Sequence, residues 1–183
     1  MGDRVYLNDE WFFSENFKEE YVCGQEFRKL ERVRLPHTVK VTPFNYFDES
    51  EYQMVSGYYR ELYAPLDWNG KYVLLTFEGI AHDSEVYVNG ALAGTHHCGY
   101  TAFSIDISGL LKYGDNNIIA VKDDSRESLN VPPFGLVIDY MTYGGMYREC
   151  YLDIKEQVHI DDLFVSSNMT DHVRLFYHMT FTD

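Results

Sequence analysis

The sequence predicts an all-β chain folded as a β-sandwich or jelly roll. Three observations carry that prediction. Short apolar segments alternate with a period of two, turn signals interrupt them at regular intervals, and no amphipathic helix of a dozen residues can be placed anywhere. The side chains agree: 16 Tyr and 12 Phe among 183 residues favour strands over helices.

Taken in order, Ser56 to Tyr63 reads as a strand, followed by Lys71 to Phe77, KYVLLTF, which is apolar on both alternating sets. That pattern predicts a central strand covered on both faces. In Glu85 to Val88, Val86 and Val88 face one way, Glu85 and Tyr87 the other. Asn89-Gly90 suits a type I′ turn because both residues tolerate positive φ, so Ala91 to Thr95 is the returning strand of a hairpin. Tyr100 to Ile107 alternates again, with Phe103, Ile105 and Ile107 on one face. Ser108 is placed to cap the short turn Gly109 to Tyr113, which Gly114 ends. Asn117 to Lys122 and Tyr147 to Ile154 complete the strands of the main body.

Two segments stand apart. Ser125 to Tyr143 contains Pro132-Pro133 and Gly135 and is too long for a hairpin turn, as functional or mobile loops are. From about Val158, VHIDDLFVSS and HVRLFYHMTFTD read as two fresh strands. A two-stranded ribbon cannot bury the face formed by Val173, Leu175, Tyr177, Met179 and Phe181. The expectation is therefore a domain over 1–157 and, over 158–183, the cut-off start of a second β domain. Its strands Leu163 to Ser166 and Val173 to Phe181 present unpaired edges and an apolar face, and are expected to be disordered or to pair with another copy.

Bulk properties narrow the function by exclusion. A net charge of −14 opposes nucleic acid and anionic membrane surfaces, both of which require a basic face. Cys23, Cys98 and Cys150 are odd in number and far apart, with no CxxC, so neither a zinc site nor a disulfide framework is indicated and a reducing cytoplasm is expected. The N-terminus has no apolar leader segment, and no run is long enough to span a bilayer as a helix. The sequon Asn168-Met169-Thr170 is read as incidental.

Phe77 to Tyr100, FEGIAHDSEVYVNGALAGTHHCGY, together with Trp11-Phe12-Phe13, Leu35-Pro36-His37, Gly57-Tyr58-Tyr59-Arg60, Leu110 to Asn116 and Tyr143 to Glu149, resembles the N-terminal sugar-binding domain of family 2 glycoside hydrolases. The resemblance runs from about Asn8 to Ile160 and implies a galactose-binding-domain-like jelly roll, followed in such enzymes by an immunoglobulin-like sandwich and a (β/α)8 barrel. It implies a retaining β-glycosidase as parent, using two barrel glutamates about 5 Å apart. Nothing in this chain resembles the motifs that carry them, so no catalytic residue is assigned here and the piece alone is expected to be inactive. β-Galactosidase is the expected parent activity, from VPPFGLVIDYMTYGGMYRE, with a β-glucuronidase or a β-mannosidase-like member as alternative. Outside the enzymes, the rival readings are a stand-alone carbohydrate-binding module or lectin and a purely structural interaction domain. The chain departs from the family at Thr38-Val39, where Asp-Trp is frequent, and at Asp123-Asp124, where Asp-Asn is common.

By the same resemblance, Asp139 stands at the distance before Gly145 from which an acidic residue reaches the barrel's active site, contacting sugar hydroxyls or, in some β-galactosidases, a sodium ion. A carboxylate suits both tasks, as a strong acceptor and a hard oxygen ligand. No cofactor is required beyond such a Na+ or Mg2+ ion in the parent, whose implied partners are the carbohydrate substrate, the downstream domains and further copies of itself in a homo-oligomer. Asn45 is a loose counterpart of a sugar-contacting asparagine. Tyr140, with Tyr143 and Phe134, could stack on a sugar ring or seal the loop against the barrel. His96-His97-Cys98 is read as packing, because neighbouring strand residues point to opposite faces and cannot readily chelate one ion. His37 is expected to pack or bond locally, and Arg148 to pair with a buried carboxylate.

Overall fold

The computed structural model describes residues 3–24, 26–45, 48–128, 143–167 and 173–180. Twelve strands run along the described residues: β1 (Asp3–Tyr6), β2 (Trp11–Ser14), β3 (Glu31–Val33), β4 (Val55–Ala64), β5 (Tyr72–Phe77), β6 (Asp83–Val88), β7 (Ala91–His96), β8 (Phe103–Asp106), β9 (Asp115–Asp124), β10 (Cys150–Lys155), β11 (His159–Ser167) and β12 (Val173–Thr180). The only helical pieces among the described residues are 3-10 turns of three or four residues. The strands form a four-stranded sheet, β1-β10-β5-β8, and a six-stranded sheet, β3-β2-β4-β9-β6-β7, with every pairing antiparallel. The chain is thus the all-β sandwich expected from its alternation.

The core lies between the two sheets. Trp11, Phe13, Tyr58, Leu62, Val86, Val88, Ile119 and Val121 come from the six-stranded sheet, and Val73, Leu75, Phe77, Leu152 and Ile154 from the other. Each set repeats at every second residue, which is why these segments settle as half-buried strands. In β5 the second set, Tyr72 and Leu74, is only half-buried, so the strand is interior to its sheet without being covered on both faces along its length.

The six-stranded sheet carries a second, outer core that periodicity did not indicate. Residues 17–24 and 26–30 fold back over it, and Phe17, Val22 and Phe27 cover Phe12, Tyr59, Tyr87 and Ala120. Phe27 stacks on Tyr59 at 5.8 Å and meets Phe12 edge-on at 5.4 Å. Burying aromatic side chains of this size stabilises by about 1.5–3 kcal/mol each.

The expected hairpin is present, with Val88 opposite Ala91 and positive φ at both turn residues, Asn89 (52°) and Gly90 (88°). Ser108 does not cap the following turn. Its Oγ accepts from Val73 N at 2.8 Å, while its own N–H is held by Asp106 Oδ1 at 2.9 Å, so the serine ties the turn to β5 instead. β10 begins at Cys150, three positions after the expected start. β11 and β12 pair only with each other among the described residues, as a separate two-stranded sheet.

Candidate functional site

At the end of the sandwich where β9 finishes, four loops enclose an open cleft of about 650 Å³ lined by Thr38, Lys40, Val41, Thr42, Ala81, Tyr100, Tyr143 and Tyr147. A floor segment, Gly144–Met146, joins the lining residues Tyr143 and Tyr147 and is bonded on both sides. His37 N donates to Met146 O (2.9 Å) and Val39 N to Gly144 O (3.1 Å) on one flank, and Ala81 N donates to Gly145 O (3.1 Å) on the other. The glycine pair is required by this packing. A Cβ on Gly144 would lie 2.4 Å from that of Ser125, and one on Gly145, at φ +116°, only 2.6 Å from His37 O. Tyr147 closes one wall by donating its hydroxyl to Gly99 O, and Tyr143 packs on Tyr52 with ring centroids 5.8 Å apart.

Beneath the floor is a buried polar layer. The Tyr58 hydroxyl and His37 Nδ1 are 2.9 Å apart, and Phe13 packs on the His37 ring at 4.8 Å. Ser125 Oγ donates to Tyr52 O at 2.6 Å. Asp123, opposite Ser56 on β4 and Ser84 on β6, points inward and is fully buried with both serines. Burial pushes its carboxyl well above the usual carboxylate range, against the Gly145 N–H and Ser56 hydroxyl that favour the charged form. Burial likewise raises the Tyr58 phenol and lowers the His37 and His82 imidazoles, in each case favouring the neutral form.

Outside the cleft lining, the charged groups near the end of β9 are paired. Asp124 takes Arg126, with Nε at 2.8 Å, and these bonds outweigh burial to hold its carboxyl below the ordinary value. Lys122 reaches Glu85 at 2.6 Å, and His97 pairs with Asp83. Among the described residues no group of three or more His, Cys, Asp or Glu is arranged to hold a metal ion.

Of the residues expected to act, Tyr143 lies in the cleft wall, 47% exposed. Asn45 is exposed, three residues past the lining residue Thr42. Asp139, Tyr140 and Phe134 lie outside the described residues, as does the sequon at Asn168. His37 packs as expected, but its hydrogen-bond partner is 21 residues away. Arg148 is corrected: exposed, it reaches the carbonyls of Glu78 (3.4 Å) and Tyr100 (3.5 Å) and lies 5.3 Å from the Tyr147 ring, with no carboxylate partner among the described residues. His96 stacks on Phe103 at 4.2 Å while His97 turns to Asp83, so the two diverge. Lys40, Val41, Ala81, Tyr100 and Tyr147 were not anticipated, since they meet only through tertiary structure. Asp123 was legible in part, because Ile119, Val121 and Asp123 fall on one alternating face of β9.

Fold and cleft together define a two-sheet antiparallel sandwich with an aromatic-walled cleft at one end. Residues 6–155 match the family model described as "Glycosyl hydrolases family 2, sugar binding domain", and the chain belongs to that family. It is 40% identical to a β-galactosidase of Thermoanaerobacter pseudethanolicus over 94% of its length, and 32% identical to a β-glucuronidase of Bacteroides fragilis over 89%. It spans 24% and 22% of those relatives' own lengths, about a quarter of each. The crystal structure of Bacteroides uniformis β-glucuronidase superimposes with a TM-score of 0.78 at 25% identity, covering 91% of this chain and 20% of that one.

Proposed function

We propose that this chain is the N-terminal, non-catalytic domain of a retaining β-glycosidase whose preferred substrates are β-galactosides. The observation that carries the reading is the family match over residues 6–155, joined to an identity that is higher to a β-galactosidase than to a β-glucuronidase over nearly the same span. In this reading residues 1–157 form the sugar-binding domain, and β11 and β12 begin an immunoglobulin-like one. The paired carboxylates of a retaining mechanism, about 5 Å apart, belong to the remainder of the parent. The chain's own contribution is positional. The bonded Gly144–Met146 floor fixes one end of the segment that carries Asp139, and Asp139 accepts hydrogen bonds from vicinal sugar hydroxyls, or supplies a hard oxygen to a cation there. The three free thiols support a reducing, cytoplasmic setting, which fractionation of source cells tests.

The test is an assay of the full-length parent on aryl β-galactoside and aryl β-glucuronide, beside its Asp139→Ala variant. Faster galactoside turnover, with a raised KM or lowered kcat in the variant, is expected. A preference for glucuronide would replace the substrate assignment, the alternative favoured by the structural likeness to the Bacteroides uniformis enzyme. Unchanged kinetics in the variant would remove Asp139 from the site and leave the domain a structural support.

A further inference from the structure

We propose that Asp123 is a proton-controlled latch beneath the cleft: with its proton on, it holds the Gly144–Met146 floor against the sandwich, and loss of the proton frees that floor and reshapes the cleft.

The geometry begins with register. Ser56, Asp123 and Ser84 form one row across β4, β9 and β6, all inward and all buried. The row lies at the end of the core, where apolar packing gives way to the 144–146 segment. Above the carboxyl sits the Gly145 N–H, which also reaches Ala81 O at 3.4 Å. Ser56 Oγ lies 3.4 Å from Oδ2, and Oδ1 meets no hydrogen-bond partner among the described residues.

Among the described residues, the groups facing this carboxyl supply no positive charge. From β4 comes the Tyr58 phenol, backed by His37, and from β9 itself comes the second acid, Asp124. The residue leading into β6, His82, is buried with neither ring nitrogen partnered among the described residues. The nearby cations are committed elsewhere, Arg126 to Asp124 and Lys122 to Glu85. A buried carboxylate without a cation is costly, so the group keeps its proton instead. Ionisation therefore demands water, and the 144–146 segment lies over the carboxyl. That segment is held by backbone bonds from His37, Val39 and Ala81, and its displacement shifts Tyr143 and Tyr147 at its two ends.

The sign follows from linkage. A carboxyl held by burial above its ordinary value of about 3.9 contributes stability that is complete at low pH and is lost as pH rises toward the folded-state value.

The experiment is amide hydrogen exchange of the 183-residue chain between pH 4 and 9, reading Val39 and Ala81, whose N–H groups bond to the floor. After correction for the intrinsic base-catalysed rate, opening at these amides should increase by up to about tenfold per pH unit above the ordinary carboxylate range. In Asp123→Asn, which cannot ionise, the corrected opening should be flat with pH, while amides in β5 show no difference between the two proteins. Equal pH dependence in wild type and variant overturns the proposal. Should the variant not fold, the carboxyl 13C shift of Asp123 in the wild type decides: titration in the ordinary carboxylate range overturns it, and a late titration accompanied by shifts at Tyr143 and Tyr147 supports it.

Discussion

The two ends of β9 bury polar side chains in opposite ways. Near its start, Asn117 is fully buried and fully bonded: its Nδ2 donates to Lys112 O (3.0 Å) and Asp115 O (3.1 Å), and its Oδ1 accepts from Lys112 N (2.7 Å) and Asn89 Nδ2 (2.8 Å). Asn89 Oδ1 then accepts from Ile118 N at 3.1 Å, which locks the hairpin turn to the strand beside it. Near its finish, Asp123 has one unpartnered oxygen among the described residues and His82 two unpartnered nitrogens. The first end uses neutral amides whose geometry satisfies every group, and it fixes a turn. The second places titratable groups below a cleft and leaves them short of partners. Buried polar networks rigidify when complete and become sensitive to their surroundings when incomplete.

The comparison breaks first at the satisfied end. Asn117→Leu strands the Lys112 and Asn89 donors together, and each unmet buried group costs about 1–3 kcal/mol, so a loss of about 3 kcal/mol or more is expected in urea unfolding. A loss below 1 kcal/mol would mean that the network is ornamental. Gly145→Ala comes next. The positive φ and the contact with His37 O should cost about 2 kcal/mol and reduce protection of the Val39 and Ala81 amides, with the hairpin unaffected. The smallest effect is expected from His82→Leu. Because its ring nitrogens have no partners among the described residues, replacing them is expected to change stability by no more than about 1 kcal/mol at pH 7. Burial lowers the His82 pKa, so the folded state resists the proton that the unfolded state accepts below about pH 6.5. The His82 contribution to wild-type stability should therefore decline on acidification through that region, and thermal melts of the variant should lack that contribution, with half-buried His37 supplying a further one of the same sign.

How much of this was legible depended on whether the signal was local. Alternation in β6 and the Asn89-Gly90 pair announced the hairpin, because turn chemistry and side-chain period act within a few residues. The glycine pair at 144–145 stood out as a landmark, though the reason for it, close approach to Ser125 and His37, required the fold. The outer aromatic layer was hidden because residues 17–30 have no regular period and are held by contacts with Tyr59 and Tyr87. The cleft was hidden for a similar cause: Lys40, Ala81, Tyr100 and Tyr147 come from four separate stretches of chain. Tyr143 could be anticipated only because the long segment it ends was conspicuous. Asp123 illustrates the intermediate case, since strand period places it on the core face while nothing local says that it lacks a cation.

One feature of the topology reaches beyond the cleft. β1 lies beside β10, with Asp3 opposite Ile154, so the sandwich is entered and left along one edge of one sheet. A tether pulled from both ends would peel β1 from β10 one bond at a time, leaving the packed interior unloaded. The same adjacency means that a short linker could join the two ends and new termini be opened at an exposed turn such as Asn69-Gly70, giving a permuted domain with its sheets intact.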